Sequence, residues 1–150
     1  MPQSLSNLLS HLVFSTHHRD PSLTPEIRSE LFPYFAGALH NKGCPAIRIG
    51  GVDDHVHLLF SLSRTVAIAD VVKSIKGSSS IWIKEHFGGK RDFAWQSGYG
   101  VFSVGQGEID SAAKYIQSQE EHHRRVTFQE EYRELMKLAG VELDERYAWE

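Results

Sequence analysis

The chain has 150 residues, of which 41% are hydrophobic and 11% aromatic, and its one cysteine, Cys44, has no partner for an internal disulfide. This size and composition are typical of a single globular domain, here residues 1–150, and exclude a disordered or disulfide-stapled protein. No apolar run approaches the ~18 residues of a membrane span. The first 18 residues lack the basic start and cleavage site of a secretory leader, so we expect a cytoplasmic protein without membrane contact.

The formal net charge of −3 does not indicate a nucleic-acid-binding protein, but the charge is unevenly distributed. Residues 71–91 carry five basic residues and one acidic residue, whereas residues 108–150 carry eleven acidic residues and six basic ones. The middle of the chain could therefore face a polyanion, with Lys73, Lys76 and Lys84 as weak candidates for DNA contact. A helix with ordinary solvated lysines would produce the same pattern.

The first half of the chain predicts a strand, a helix and a hairpin. Residues 11–18 are rich in β-branched and aromatic residues and predict a strand. A helix is predicted from Pro25 towards Gly43, with Thr24 as its cap and with Pro33 as a point where it should kink or end early. Two further strands, residues 44–52 and 55–62, flank an Asp-Asp pair that is typical of a tight turn.

The second half predicts a helix from Thr65 to Gly88, a strand over residues 99–105 and a helix over 108–125. A last helix begins at Thr127, which has a glutamate three residues later. The order β α β β α β α α predicts the α+β class, as a ferredoxin-like split βαβ fold with extra C-terminal helices. Its antiparallel sheet has helices on one face and can expose the other.

The sequence DHVH places two histidines, His55 and His57, at the start of the third strand. Side chains alternate along a strand, so both imidazoles lie on one face, with Cα atoms about 6.6 Å apart. Such a pair can hold one divalent metal ion and leave part of its coordination sphere open. Two histidines on a half-solvated strand are the alternative.

The residues around His55 and His57 do not match other known classes of histidine-dependent site. A histidine-triad hydrolase needs a third histidine at position 59, which is Leu59, and a two-histidine phosphoesterase needs Ser or Thr two residues after each histidine. A closed structural zinc site is not expected from one cysteine.

The segment YIQSQEEHH adds a nucleophile candidate. Tyr115 and Gln119 are four residues apart and therefore neighbours on a helix, at the edge of its core-facing side. A phenol beside a metal-binding pair is an arrangement suited to phosphodiester cleavage by a protein nucleophile. His122 continues the same stripe, whereas His123 is expected to lie at a solvated helix end, and an edge tyrosine without catalytic function remains the alternative.

The segments DHVHLLFSL, QSGYGVFSV and YIQSQEEHH, together with the C-terminal FQEEYRELMKLAGVELDERYAWE, resemble the single-tyrosine transposases of the HUH superfamily, the small enzymes of the two-hundred class of bacterial insertion sequences. The resemblance implies cleavage and rejoining of single-stranded DNA through a 5′-phosphotyrosine, with Tyr115 as nucleophile. It also implies Mg²⁺ or Mn²⁺ bound by His55, His57 and Gln119, a homodimer, and a substrate hairpin near the end of the element.

Two other functions remain compatible with the sequence. A domesticated, non-catalytic module of the same fold could bind nucleic acid by stacking bases on aromatic side chains. A metal-dependent nuclease could use activated water, with Tyr115 in a structural role. Among the remaining aromatic residues, Trp82 and Trp95 are expected in the core, and Tyr147 and Trp149 are candidates for contact with a partner subunit.

Overall fold

The fold is that of a computed structural model, which describes residues 2–150. Within these residues it contains four strands and five α-helices. The strands are β1 (Leu9–Ser15), β2 (Ala46–Gly51), β3 (His55–Ser61) and β4 (Gly100–Ser103). The helices are α1 (Pro25–Asn41), α2 (Ile68–His86), α3 (Ile109–Gln117), α4 (Gln119–His122) and α5 (Phe128–Ala139). Over the same part of the chain, no helix is long and apolar enough to cross a bilayer.

All pairings in the four-stranded sheet are antiparallel, and the strand order is β2-β3-β1-β4. β2 and β3 form the predicted hairpin, and β3 lies between β2 and β1. With α1 after β1 and α2 after β3, this is the ferredoxin-like split βαβ arrangement, so the predicted fold class is confirmed.

One face of the sheet packs against α1 and α2 and forms the main core. Alternate residues of the two central strands point to this side, including Leu12 and Phe14 of β1 and Val56 and Leu58 of β3. Trp95 lies in the same core, as predicted, and its indole N–H donates to Ser79 Oγ of α2 at 2.9 Å. This hydrogen bond satisfies a polar atom in an apolar layer and fixes α2 against the sheet.

The opposite face is also covered, which contradicts the predicted open face. Val13 of β1 packs with Phe128, Tyr132 and Met136 of α5 in a second apolar cluster. His55 and His57 point to this side, since they alternate with Val56. The C-terminal helices therefore bury the histidine pair, because their apolar side needs a surface to pack on.

Several predicted helix features differ in detail. The Thr24 cap of α1 is confirmed, because its Oγ1 accepts from the Ile27 amide at 3.3 Å, and α1 continues through Pro33 to Asn41. The cap predicted at Thr65 is wrong: α2 begins at Ile68 after Ala67, without a side-chain cap.

The single helix predicted over residues 108–125 is divided at Ser118. The Ser118 hydroxyl donates to the carbonyls of Lys114 and Tyr115, at 2.9 and 3.2 Å, and its backbone leaves the helical range with φ −96° and ψ 21°. Serine competes for helix carbonyls in this way. The break ends α3 at Gln117, one residue after Ile116, and α4 starts at a buried Gln119.

Candidate metal and nucleophile site

The histidine pair lies at the centre of a buried polar cluster. His55 and His57 are both 0% exposed. Their Nε2 atoms approach one oxygen of Glu131, Oε1, at 3.1 and 3.0 Å respectively. The alternation of β3 supplies the common face, and the flanking strands β1 and β2 hold the backbone from both sides.

The structure brings Tyr115 and Gln119 to the same cluster, within one chain. Gln119 Oε1 lies 3.1 Å from His55 Nε2, and Gln119 Nε2 donates to the Tyr115 carbonyl at 3.3 Å. The Tyr115 ring centroid is 5.7 Å from that of His57, with the rings perpendicular. The break at Ser118 does not separate the two residues, because the Gln119 side chain reaches back to the Tyr115 carbonyl.

A glycine sets how closely the tyrosine helix approaches the sheet. Gly50 of β2 pairs with His57, and a Cβ at Gly50 would overlap the carbonyl oxygen of Ile116 in α3. The helix residue next to Tyr115 therefore lies directly on the strand next to the histidines. A larger residue would hold α3, and with it the phenol, away from the sheet.

Glu131 of α5 is a site residue that the sequence reasoning missed. It is 3% exposed, and its two oxygens have different partners. Oε1 faces His55, His57 and His123, whereas Oε2 accepts the Tyr115 hydroxyl and lies 3.3 Å from His122 Nε2. A signal was present: Glu131 stands in the otherwise apolar stripe of α5, where an acidic residue is unusual.

His123 also belongs to the cluster, so the prediction of a solvated position for it is wrong. Its side chain is 9% exposed, and Nε2 lies 3.1 Å from Glu131 Oε1. Its Nδ1 donates to the Val126 carbonyl at 2.7 Å, a contact made possible by the tight turn between α4 and α5. This turn directs the imidazole inward.

An aspartate and a histidine contact the Nδ1 atoms of the pair and complete the polar network. His55 Nδ1 donates to Asp54 Oδ1 at 2.7 Å, and His57 Nδ1 lies 2.8 Å from Nε2 of His11 on β1. Asp54 and His11 were also absent from the predicted site. Their contacts orient the two imidazoles so that both Nε2 atoms point to Glu131.

Burial and charge set the protonation of the cluster. Burial opposes a charge on His55, but hydrogen bonds with Asp54 and Glu131 outweigh it and raise its pKa to about 9. Burial lowers the pKa of His57 to about 4 and that of His11 to about 3, so both are neutral at neutral pH. The carboxylates that favour a positive charge on His55 would equally favour a cation between them.

The nucleophile candidate and the carboxylate are shifted in opposite directions. Burial and the negative charge of Glu131 raise the pKa of the Tyr115 phenol. Burial would raise the pKa of Glu131, but the imidazoles of His123, His55 and His57 around the carboxylate hold that pKa well below its usual range. At neutral pH the phenol is therefore protonated and Glu131 is ionised.

The predicted lysines lie elsewhere. Lys73, Lys76 and Lys84 belong to α2, on the opposite side of the sheet from the histidine pair. Lys76 Nζ donates to the carbonyls of Gln96 and Gly98, at 2.5 and 2.9 Å, which indicates a structural role. DNA contact by Lys73 and Lys84, which are exposed, stays a prediction.

The C-terminal aromatic residues divide between core and solvent. Tyr147 is 62% exposed. Trp149 instead packs within its own chain, with ring centroids 6.5 Å from Phe128 and 5.7 Å from Tyr132. Trp149 therefore helps to hold α5, the helix that carries Glu131, against the sheet.

An open groove of about 630 Å³ borders the cluster. Its lining includes His123 and both basic and acidic side chains: Arg28, Arg124 and Arg125, and Asp53, Asp54 and Glu120. The groove therefore reaches from solvent to His123 and Asp54, two members of the polar cluster.

The donor set fits a divalent metal ion. His55, His57, His123 and Glu131 each offer one ligand atom, and all four atoms lie within 4.8 Å of one another. Imidazole nitrogens and a carboxylate oxygen are suitable ligands for divalent transition ions. A neighbouring phenol and a bound cation together could perform nucleophilic substitution at a phosphate.

Comparison with known proteins identifies the family. A family model described as "Transposase IS200 like" matches residues 4–119. The ISDra2 transposase TnpA of Deinococcus radiodurans is 29% identical over 116 residues, which cover 73% of this chain and 81% of that relative.

Two solved structures share the fold. A protein of Deinococcus radiodurans R1 assigned as a transposase has a TM-score of 0.63 and 24% identity, and the match covers 79% of this chain and 98% of that one. A tyrosine transposase bound to a hairpin of a REP element has a TM-score of 0.62 and 12% identity, and the match covers 84% of this chain and 74% of that one. With the family model matching most of its length, the chain belongs to the IS200-like transposase family.

Proposed function

We propose that the protein cleaves and rejoins single-stranded DNA through a 5′-phosphotyrosine formed on Tyr115. The observation that carries the proposal is the position of the Tyr115 hydroxyl, which donates to the carboxylate that faces His55 and His57 in the same chain. A metal-binding pair and a phenol at this range are what nucleophilic attack on a phosphodiester requires. The ion is Mg²⁺ or Mn²⁺, held by His55, His57 and Gln119.

The reaction conserves the phosphodiester bond energy. The Tyr115 oxygen attacks phosphorus and loses its proton, and the bond from phosphorus to the 3′ oxygen breaks. The leaving 3′ oxygen takes up one proton, so that a 5′-phosphotyrosine and a free 3′ hydroxyl remain with no net change in protons. Attack of a 3′ hydroxyl on the phosphotyrosine reverses these steps, so rejoining needs no ATP. A bound divalent ion supplies charge neutralisation at the non-bridging oxygens.

The protein side chains prepare the phenol for this reaction. Glu131 and His122 hold the hydroxyl end of Tyr115, and Gln119 is bonded to the Tyr115 backbone. Because burial and Glu131 raise the pKa of the phenol, formation of the phenolate depends on positive charge brought to the site. This dependence predicts that cleavage without a divalent ion is very slow.

We propose a DNA hairpin with its flanking single strand as the substrate, and a homodimer as the active form. A hairpin is the ligand of the REP-element transposase that shares this fold. The groove beside the cluster offers three guanidinium groups, those of Arg28, Arg124 and Arg125, to the phosphate backbone of the flanking strand, although Asp53, Asp54 and Glu120 line it as well. The homodimer follows from the family resemblance of the sequence.

The test is incubation of labelled single-stranded DNA from the flanks of the gene with wild-type protein, Tyr115→Phe and the exposed-site control Tyr147→Phe. Each is run with Mn²⁺ or with EDTA on a denaturing gel. We expect a covalent protein–DNA adduct for wild type and the control, only with Mn²⁺, and none for Tyr115→Phe. Cleavage by Tyr115→Phe without an adduct would contradict the proposal and support a nuclease that uses water. DNA binding by wild type without cleavage would support a non-catalytic module.

A further inference from the structure

We propose that His123 and Glu131 are additional ligands of the metal ion, so that the site of this chain has three imidazoles and one carboxylate and selects transition-metal ions over Mg²⁺. Since the proposed function already places a divalent ion at His55 and His57, this proposal rests on it. Both added ligands lie beyond residues 4–119, the part of the chain that matches the family model. They are therefore contributed by the C-terminal segment that covers the sheet.

The three imidazoles are arranged alike. In each, Nδ1 has a partner: Asp54 Oδ1 for His55, His11 Nε2 for His57 and the Val126 carbonyl for His123, at 2.7, 2.8 and 2.7 Å. With Nδ1 donating, the neutral imidazole presents the lone pair of Nε2, and metal-bound histidines are usually held in this way. All three Nε2 atoms converge on Glu131 Oε1.

His123 Nε2 is a buried polar nitrogen that is not satisfied by a hydrogen bond. Among residues 2–150 it has no hydrogen-bond partner, although Glu131 Oε1 is only 3.1 Å away. A nitrogen lone pair facing a carboxylate oxygen is repulsive unless a cation lies between them. A bound ion would satisfy this nitrogen and the carboxylate together.

The spacing of the donor atoms agrees with shared coordination. Glu131 Oε1 lies 3.1, 3.0 and 3.1 Å from the Nε2 atoms of His55, His57 and His123. Two ligand atoms at ~2.1 Å from one ion and at right angles to each other lie about 3.0 Å apart. Gln119 Oε1, 3.1 Å from His55 Nε2, is a fifth donor at the same distance.

Burial of Glu131 favours the same conclusion. A carboxylate at 3% exposure in the apolar stripe of α5 is costly unless positive charge compensates it. A divalent ion would compensate the carboxylate, and it would tie α5 to the sheet.

The ligand types predict which ions bind. Imidazole suits zinc, iron, nickel and copper, whereas Mg²⁺ prefers carboxylate, carbonyl and water oxygens. A site with two histidines and a glutamine could use Mg²⁺ readily. Three imidazoles and a carboxylate should bind Zn²⁺ and Mn²⁺ more tightly than Mg²⁺, in the usual order of Zn²⁺ above Mn²⁺.

Calorimetric titration with Mn²⁺, Zn²⁺ and Mg²⁺ tests the proposal in the absence of DNA. The variants are His123→Asn and Glu131→Gln, and the matched controls are the exposed His86→Asn and Glu134→Gln. We expect His123→Asn and Glu131→Gln to weaken Mn²⁺ and Zn²⁺ binding at least ~10-fold, and the controls to bind as wild type does. Wild-type affinity in both site variants would overturn the proposal, as would a wild-type preference for Mg²⁺.

A measurement on unmodified protein covers the case in which a variant does not fold. In ¹⁵N-histidine NMR of wild type, added Zn²⁺ should shift the Nε2 signals of His55, His57 and His123 together. A His123 signal that stays unchanged while the other two shift would overturn the proposal.

These readouts are independent of the transposase reaction. Metal binding that is unchanged in both variants, beside a normal Tyr115 adduct, would overturn the added ligands and leave the proposed function intact. Three shifted histidine signals without any adduct would support the ligands and contradict the proposed function.

Discussion

Replacing Gly50 by alanine should displace the tyrosine helix without touching any proposed metal ligand. The added Cβ would overlap the Ile116 carbonyl oxygen and lie 2.9 Å from its Cγ2, so α3 must move outward by on the order of 1 Å to restore a contact of ~3.5 Å. Overpacking of this kind costs about 1–3 kcal/mol of stability. A shift of ~1 Å at a reacting group can reduce the rate about 100-fold.

The assay is the initial rate of adduct formation with Mn²⁺, together with the free energy of unfolding from urea titration. The control is Gly37→Ala, at an exposed position of α1 where a Cβ meets nothing within 4 Å, and it should stabilise by about 0.5–1 kcal/mol at unchanged rate. Wild-type stability and adduct rate in Gly50→Ala would refute the reasoning, because Ile116 and Tyr115 would then not be constrained by the close approach to β2.

Three further predictions concern the support of the site. His11→Leu removes the partner of His57 Nδ1 and should weaken Mn²⁺ binding about 10–100-fold by calorimetry, whereas the exposed His40→Leu should not. Trp149→Ala removes packing on Phe128 and should cost about 1–3 kcal/mol, with faster amide exchange in α5; unchanged exchange would contradict this role. Thr127→Ala removes the cap of α5, where Oγ1 accepts from the Glu130 amide at 3.2 Å, and should cost about 1 kcal/mol in urea unfolding, most of which Thr127→Ser should restore.

The strand pattern was predictable because it depends on short-range alternation. Because side chains alternate along a strand, His55 and His57, separated by Val56, must point to the same face. In the structure both imidazoles are buried on one face of the sheet. The hairpin follows from the turn residues between two apolar runs. These features need no knowledge of distant contacts.

The C-terminal half of the site was not predictable in the same way. The sequence predicts a continuous helix through Ser118, because helix propensity does not reveal when a serine hydroxyl will bond to helix carbonyls. The role of Glu131 depends on partners that lie on other elements, up to 76 positions earlier in the chain at His55, so the pattern of its own helix does not reveal them. Packing of the C-terminal helices on the second face of the sheet is a long-range tertiary contact. The pattern of apolar and polar residues along each helix does not show which surface it will pack on.

The most direct test of the central claim is to identify the atom that becomes bound to DNA. After reaction of wild-type protein with single-stranded DNA and Mn²⁺, nuclease and protease digestion followed by mass spectrometry should find a nucleotide on Tyr115. Cleaved DNA with an unmodified Tyr115, or with the nucleotide on another residue such as Tyr132 or Tyr147, would contradict the assignment of Tyr115 as the nucleophile.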